Sequence, residues 1–249
     1  MTAVSKRQPP LGEHRASVRK YLRDVDLPFE SVAGAIVQER LAADTEDDLL
    51  RSSLALWACR ACGGDERDAL PIAASLYLFD RFMLLHDELV EDQRMPRWGL
   101  GQSLNAGDAL YALAFRTLAE DVVNAQRRLE AAALVARAVL ESIEGRNVDL
   151  ERTAHGRDNG LLAQVRSVRR RSAVLTGAAV SAGVIVAGAP EATLRGLDRA
   201  GRLLAVLATV NDEHLARRLG EKANRAVARV ITDADRRKEF EEVVNYVSP

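Results

Sequence analysis

The chain has 249 residues, with 35 Lys and Arg against 36 Asp and Glu and a formal net charge of −1. That balance excludes a nucleic-acid binder that works by neutralising phosphates, which needs an excess of positive charge. Apolar residues make up 47% of the chain, enough for a full core, and the aromatics (5 Phe, 2 Trp, 4 Tyr) are too few for a typical all-β sandwich or barrel.

Sparse Gly and Pro beside abundant Ala, Leu, Arg and Glu predict long helices with short connections. Residues 1–12 are polar, carry Pro9-Pro10 and lack the apolar segment of a secretory signal. They are read as a flexible lead-in to a cytoplasmic protein, and residues 13–249 as one helical domain. Helical periodicity runs from Glu13 through Val25, then from Pro28 to Ala43. A third helix starts near Thr45, with the acidic first turn Glu46-Asp47-Asp48, and stops at Gly63-Gly64. Cys59 and Cys62 form a C-x-x-C inside it. With neither a preceding strand nor a second ligand pair, they read as two buried structural thiols.

A fourth helix spans Asp68 to Asp92, with Pro71 in its first turn, and helices over Gln102–Leu118 and Asp121–Gly145 follow. After a polar loop at His155-Gly156-Arg157, a long helix covers Leu161–Ala187. Its portion Ser172 to Pro190 carries no charge for 19 residues, close to the length that crosses a bilayer. Low hydrophobicity and no aromatic belt favour instead the buried central helix of a bundle, without a transmembrane segment. Two last helices fit Glu191–Leu219 and Glu221–Val247. No strand-period segment appears, so the predicted architecture is all-α, a single large helical bundle.

Two acidic clusters stand out. Asp87 and Glu91, four residues apart after an apolar run, share one helix face and repel each other unless a cation lies between them. Hard oxygens at that spacing suit Mg²⁺, which shares its shell with phosphates; the plain alternative is a solvated acidic helix end. Asp212-Glu213 follows the apolar run Leu203–Val210. If the clusters face each other across a cavity, they could hold a diphosphate through bridging Mg²⁺, with Arg94, Arg97 and Arg171 as candidate clamps.

At these residues the chain resembles the all-trans polyprenyl diphosphate synthase family, of the class I isoprenoid synthase fold. His86-Asp87-Glu88-Leu89-Val90-Glu91 is similar to the family's HDDxxD motif with Glu replacing two Asp, and Trp98 through Leu110 resembles the stretch that follows it. Glu144-Gly145-Arg146-Asn147-Val148-Asp149-Leu150 is similar to EGQxxDL, Arg171-Ser172 stands where the family has Lys-Thr, and Asp212-Glu213 stands at the second Asp-rich motif. The resemblance implies a helical bundle with a central active-site cavity. It implies catalysis at Asp87, Glu88 and Glu91, and Mg²⁺ held by Asp87, Glu88, Glu91, Asp92, Asp212 and Glu213. It further implies an allylic prenyl diphosphate substrate gripped by Arg94, Arg171 and Arg51, and a homodimer or a heteromeric synthase partner.

The departures fall on the second substrate. Where the family binds isopentenyl diphosphate with GKRxRP, this chain has Asp47-Asp48-Leu49-Leu50-Arg51-Ser52, keeping only Arg51; a family His aligns with Asp80. Acidic groups there repel a diphosphate. This pattern puts first a terpene synthase-like enzyme that ionises one allylic diphosphate, with Tyr77, Phe79 and Phe82 as candidates to face the cation. A chain-elongating prenyltransferase and a non-catalytic subunit of a heteromeric synthase follow.

Overall fold

A computed structural model describes residues 9–25, 30–42, 49–91, 97–119, 124–154 and 160–249. Among them the chain forms helices only: α1 (Gly12–Asp24), α2 (Val32–Ala42), α3 (Leu50–Ala61), α4 (Glu66–Glu91), α5 (Leu100–Ala119), α6 (Ala125–Ala154), α7 (Leu161–Arg170), α8 (Ser172–Ala187), α9 (Glu191–Leu207), α10 (Glu213–Ala228) and α11 (Ala234–Val247).

The centre is α8, buried without interruption from Ala173 to Val184. A helix apolar all round has no face to offer water and must be enclosed. It packs against α3, α6 and α9. Among the described residues one helix, Leu162–Ala187 when α7 and α8 are taken together, is long and apolar enough to cross a membrane, and 67% of its apolar window is buried inside the bundle. Two apolar clusters meet on the α3–α8 pair. One takes Leu56 of α3 and Ala179 of α8 together with Leu76 and Phe79 of α4, Leu110 of α5 and Val135 of α6. The other takes Trp57 of α3 and Val180 of α8 together with Leu204 of α9, Val227 of α10 and Phe240 of α11. Trp57 is fully buried 5.1 Å from the Phe240 ring, and its indole N–H donates to the Arg236 carbonyl at 3.2 Å, which ties α11 to the centre.

The stop at Gly63-Gly64 falls where the sequence predicts it: the Gly64 N–H reaches the Cys59 carbonyl at 2.9 Å. Cys59 is buried and Cys62 partly so; both are free thiols whose pKa burial pushes up, to about 12 and about 11. Other boundaries differ. The helix predicted from Asp68 starts at Glu66, so Pro71 lies inside α4 rather than in its first turn. Gly145, where a predicted helix ends, and Gly220, which falls between two predicted helices, sit inside α6 and α10, where the missing side chain admits Arg170 and Val244 respectively. The last two predicted helices are three, because Asp212 and Asp233 cap new helix starts: Asp212 accepts from the Leu215 N–H at 2.7 Å and Asp233 from Asp235 and Arg236. The long helix from Leu161 breaks at Arg171 (φ −104°, ψ −84°). The acidic turn Thr45–Asp48 and the start at Pro28 lie outside the described residues.

The N-terminal helix is clasped to α4 by a buried polar contact, His14 Nδ1 to Glu66 Oε2 at 2.9 Å. Burial holds the His14 pKa below its ordinary 6.5, against the opposing pull of Glu66. The folded state therefore binds fewer protons than the unfolded one just below pH 6.5, and stability falls as pH drops through that range. Thermal melts from pH 7 to 5 should show this decline, and His14→Gln should flatten it. The α3–α8 contact makes a second test. A Cβ on Gly183 would overlap the Ala55 carbonyl and lie 2.9 Å from the Cys59 nitrogen, both backbone of α3. Gly183→Ala should lower stability by roughly 1–3 kcal/mol in denaturant titration, as overpacked cores do.

Candidate functional site

A cavity of about 350 Å³ opens between α3, α4, α8 and α9, near the lower end of ligand-site sizes. Its apolar wall includes Leu50, Met83, Leu84, Leu175, Leu204 and Ala205, and Val247 closes one side. Its polar groups include Arg51, Asp80, Arg81, Asp87, Arg171 and Thr176. Asp80, Leu84 and Asp87 repeat at helical spacing and so line one stripe of α4. None of the described lining side chains is aromatic. Phe79 and Phe82 turn to α5 instead: Phe79 packs edge-on against Tyr111 at 5.6 Å and Phe115 at 5.3 Å, and Phe82 stacks near His86 and Tyr111. Tyr77 is buried in the core beneath Arg81, whose guanidinium lies 5.2 Å from the ring centroid. The expectation that these three rings face a reacting cation is therefore not met.

Asp87 is held by two guanidiniums. Arg146, from α6, contacts Oδ1, and Arg171, at the α7–α8 break, donates to Oδ2 at 2.7 Å. The side chains are 23% (Asp87), 14% (Arg146) and 31% (Arg171) exposed. Burial and then the charge of Arg171 lower the Arg146 pKa, so Asp87 offsets a repulsion that the fold itself creates. Gly145 makes the arrangement possible. A Cβ there would lie 2.7 Å from the Arg170 Cβ and 2.9 Å from its carbonyl, so glycine lets α6 approach the break that carries Arg171. Ser167 of α7 donates to Asp149 of α6 and braces the same junction.

Arg51 forms a second station. Its Nη1 pairs with Asp80, and its Nε donates to Thr176 Oγ1 at 3.3 Å, whose hydroxyl in turn donates to the Ser172 carbonyl at 2.9 Å. The arginine is thus aimed across the cavity from α3 to α4 and α8.

The other expected residues do not converge here. Adjacent helical positions diverge by about 100°, and Glu88 accordingly points away from Asp87 to Arg40 of α2, at 2.6 and 2.7 Å. Glu91 ends α4, but its side chain is outside what the structure describes, as are Asp92 and Arg94. Arg97 stacks over Trp98 at 4.7 Å rather than lining the cavity. Asp212 is exposed and spends its carboxylate on the α10 cap, and Glu213 borders a separate groove with Val244 and Pro249. Of the two acidic clusters, Asp87 lines this cavity and neither Asp212 nor Glu213 does. A magnesium ion needs several hard oxygens not already neutralised. Among the described residues no three His, Cys, Asp or Glu gather, and Asp87 already carries two cations. Among the described residues, Asp87, Glu88, Asp212 and Glu213 do not gather into a magnesium site; the side chains of Glu91 and Asp92 lie outside the described residues.

Arg146, Asp80 and Arg40 were not singled out as site residues from the sequence. Arg146 carried a signal, since it stands where EGQxxDL has a neutral glutamine. Asp80 carried a weaker one, seven residues before Asp87 on the same stripe.

Comparisons with known proteins add the family. A polyprenyl synthetase family model matches residues 43–216, which include every cavity-lining residue except Val247. The geranylgeranyl diphosphate synthase of Mycobacterium tuberculosis is 32% identical over 184 residues, covering 66% of this chain and 49% of that protein. The chain spans 49% to 65% of the length of the first curated relatives it matches. The geranylgeranyl pyrophosphate synthetase from the archaeon Geoglobus acetivorans superposes with TM-score 0.83 at 19% identity, covering 95% of this chain and 96% of that one. The geranyl diphosphate synthase small subunit from Antirrhinum majus superposes with TM-score 0.80 at 18% identity, covering 94% and 97%. Those two likenesses establish the fold, and the matched region shows that the chain belongs to the polyprenyl synthetase family.

Proposed function

We propose that the chain is a chain-elongating prenyltransferase, joining an allylic prenyl diphosphate to isopentenyl diphosphate in the cavity beside α4. The observation that carries this reading is the cavity's division into an aliphatic wall and two separate arginine stations, Arg171 with Arg146 and Arg51 with Asp80. Elongation needs two diphosphates bound at once, and two anion stations suit two substrates. An aliphatic wall takes up a prenyl tail by burying apolar surface. The reaction breaks the allylic carbon–oxygen bond, forms a carbon–carbon bond to the isopentenyl double bond and releases a proton. This chain's residues bind the two anions and exclude water from the carbon ends.

The lyase reading, put first by the loss of the GKRxRP basic residues, ranks below elongation here. Its cyclising cation asks for aromatic walls, and the described lining offers none. Arg51 also remains aimed into the cavity. The relatives are likewise named as synthases of geranylgeranyl and other prenyl diphosphates. Magnesium dependence and a cytoplasmic location belong to the same reading.

A second reading, a non-catalytic subunit that pairs with an active synthase, is favoured by one observation: the first-motif aspartate is already paired within the chain. Exposed Leu129 and Leu140, 67% and 64% accessible on α6, suit association with another chain, whether a second copy or a heteromeric partner.

Incubating the pure protein with Mg²⁺ and geranyl, farnesyl or geranylgeranyl diphosphate separates these readings. Longer diphosphates formed only with isopentenyl diphosphate are expected. Hydrocarbon or alcohol formed without it would restore the lyase, and silence relieved by a partner chain would show the subunit. Asp80→Asn should free the Arg51 station, because it removes the carboxylate that occupies the guanidinium. A hydrogen bond between charged groups is worth about 1.5–3 kcal/mol, so affinity for isopentenyl diphosphate should rise roughly 10-fold or more by calorimetry.

A further inference from the structure

We propose that Arg40 of α2 is a positioning residue for the acidic motif of α4: it holds both oxygens of Glu88, and through them the direction in which the neighbouring Asp87 enters the cavity. This rests on reading that cavity as the reaction site, and it gives Glu88 the work of fixing a helix end rather than of binding a metal or a substrate.

Three observations carry it. The contact is two-pronged: Arg40 Nη1 donates to Glu88 Oε1 at 2.7 Å, and Nη2 lies 2.6 Å from Oε2. A planar guanidinium meeting a planar carboxylate on two parallel bonds fixes rotation as well as distance, which a single contact does not. Second, the contact falls where α4 lacks support of its own. Glu88 lies beside Asp87 and in the final turn of the helix, which ends at Glu91 and carries no basic residue. The last carbonyls of a helix have no partner further along it, and acidic side chains there oppose the helix dipole. Arg40 supplies the missing cation from another helix. Its base is firm, because Ile36 and Val37, one turn earlier on α2, are buried in the larger apolar cluster.

Third, the residue type matches the reach. Where HDDxxD has its second aspartate, this chain has Glu88. An aspartate on the same backbone would end roughly 1.5 Å short, one carbon–carbon bond, and the fork would open beyond hydrogen-bonding distance. Glu88→Asp restores the residue of the motif, yet it should impair this chain. A direct ligand role predicts otherwise, since aspartate offers a metal or a water the same carboxylate.

The test is a double-mutant cycle on the full chain with Glu88→Asp, Arg40→Ala and both together, with thermal melts to confirm folding. It is read by amide hydrogen exchange over residues 85–91 and by steady-state kinetics with farnesyl and isopentenyl diphosphates in Mg²⁺. The two side chains are 30% and 41% exposed, so each single change should speed exchange of that turn by about 5-fold, the effect of a partly screened pair. KM for farnesyl diphosphate should rise by a similar factor, while KM for isopentenyl diphosphate, at the Arg51 station, stays near wild type. The double variant should be no worse than either single, because all three remove one and the same contact. A Glu88→Asp variant that exchanges and turns over as wild type, an Arg40→Ala variant with unaltered exchange, effects that add in the double variant, or an equal rise in both KM values would each overturn the assignment. Absence of product from wild type, with the exchange cycle non-additive as expected, would refute elongation alone. Elongation with an additive or silent exchange cycle would refute the role of Arg40 alone.

Discussion

The cluster of Asp87 with Arg146 and Arg171 is the interaction around which the site is organised. Two guanidiniums brought together in a partly dry cavity repel each other, and neither can give up its proton at ordinary pH. Something anionic has to lie between them. In this structure that group is an aspartate of α4, which ties three helical segments together at the mouth of the cavity. Arg51 and Asp80 repeat the pattern two turns earlier on the same stripe of α4. The cavity thus has positive stations, each balanced by a carboxylate of the protein.

That arrangement depends on how closely the helices approach. The α3–α8 pair belongs to both apolar clusters, and the close approach at Gly183 sets its spacing. From this pair α4 and α6 are placed on one side and α9, α10 and α11 on the other. Arg51 on α3, Asp80 and Asp87 on α4 and Thr176 on α8 then converge without a loop carrying any of them. Sites on helices hold geometry more tightly than sites on loops, which is why two short polar networks persist in an otherwise aliphatic cavity.

Much of this was legible in the amino-acid order. The uncharged run from Ser172 can be soluble only as an enclosed helix, and it is the central one. Asp87, Arg171 and Arg51 follow from motif positions, and all three line the cavity. The misreadings share a cause. Gly145 and Gly220 fall at predicted helix boundaries, and glycine is a poor helix former, yet both are helical because a neighbour needs the space. Asp212 looks like a ligand at the end of an apolar helix, yet its nearest demand is the open N–H groups of α10. Glu88 sits in the motif, yet one step along a helix turns it to Arg40.

The sequence by itself determined the helical class, the buried identity of α8, the family and the stripe of α4 that carries Asp87, because periodicity, composition and motif order are local or nearly local properties. Only the tertiary structure decided which charges meet. Arg146 and Asp87 are far apart in the chain, and Asp80 and Arg51 lie on different helices. A salt bridge depends on distances of a few ångströms between side chains, and those are set by helix packing rather than by spacing along the chain.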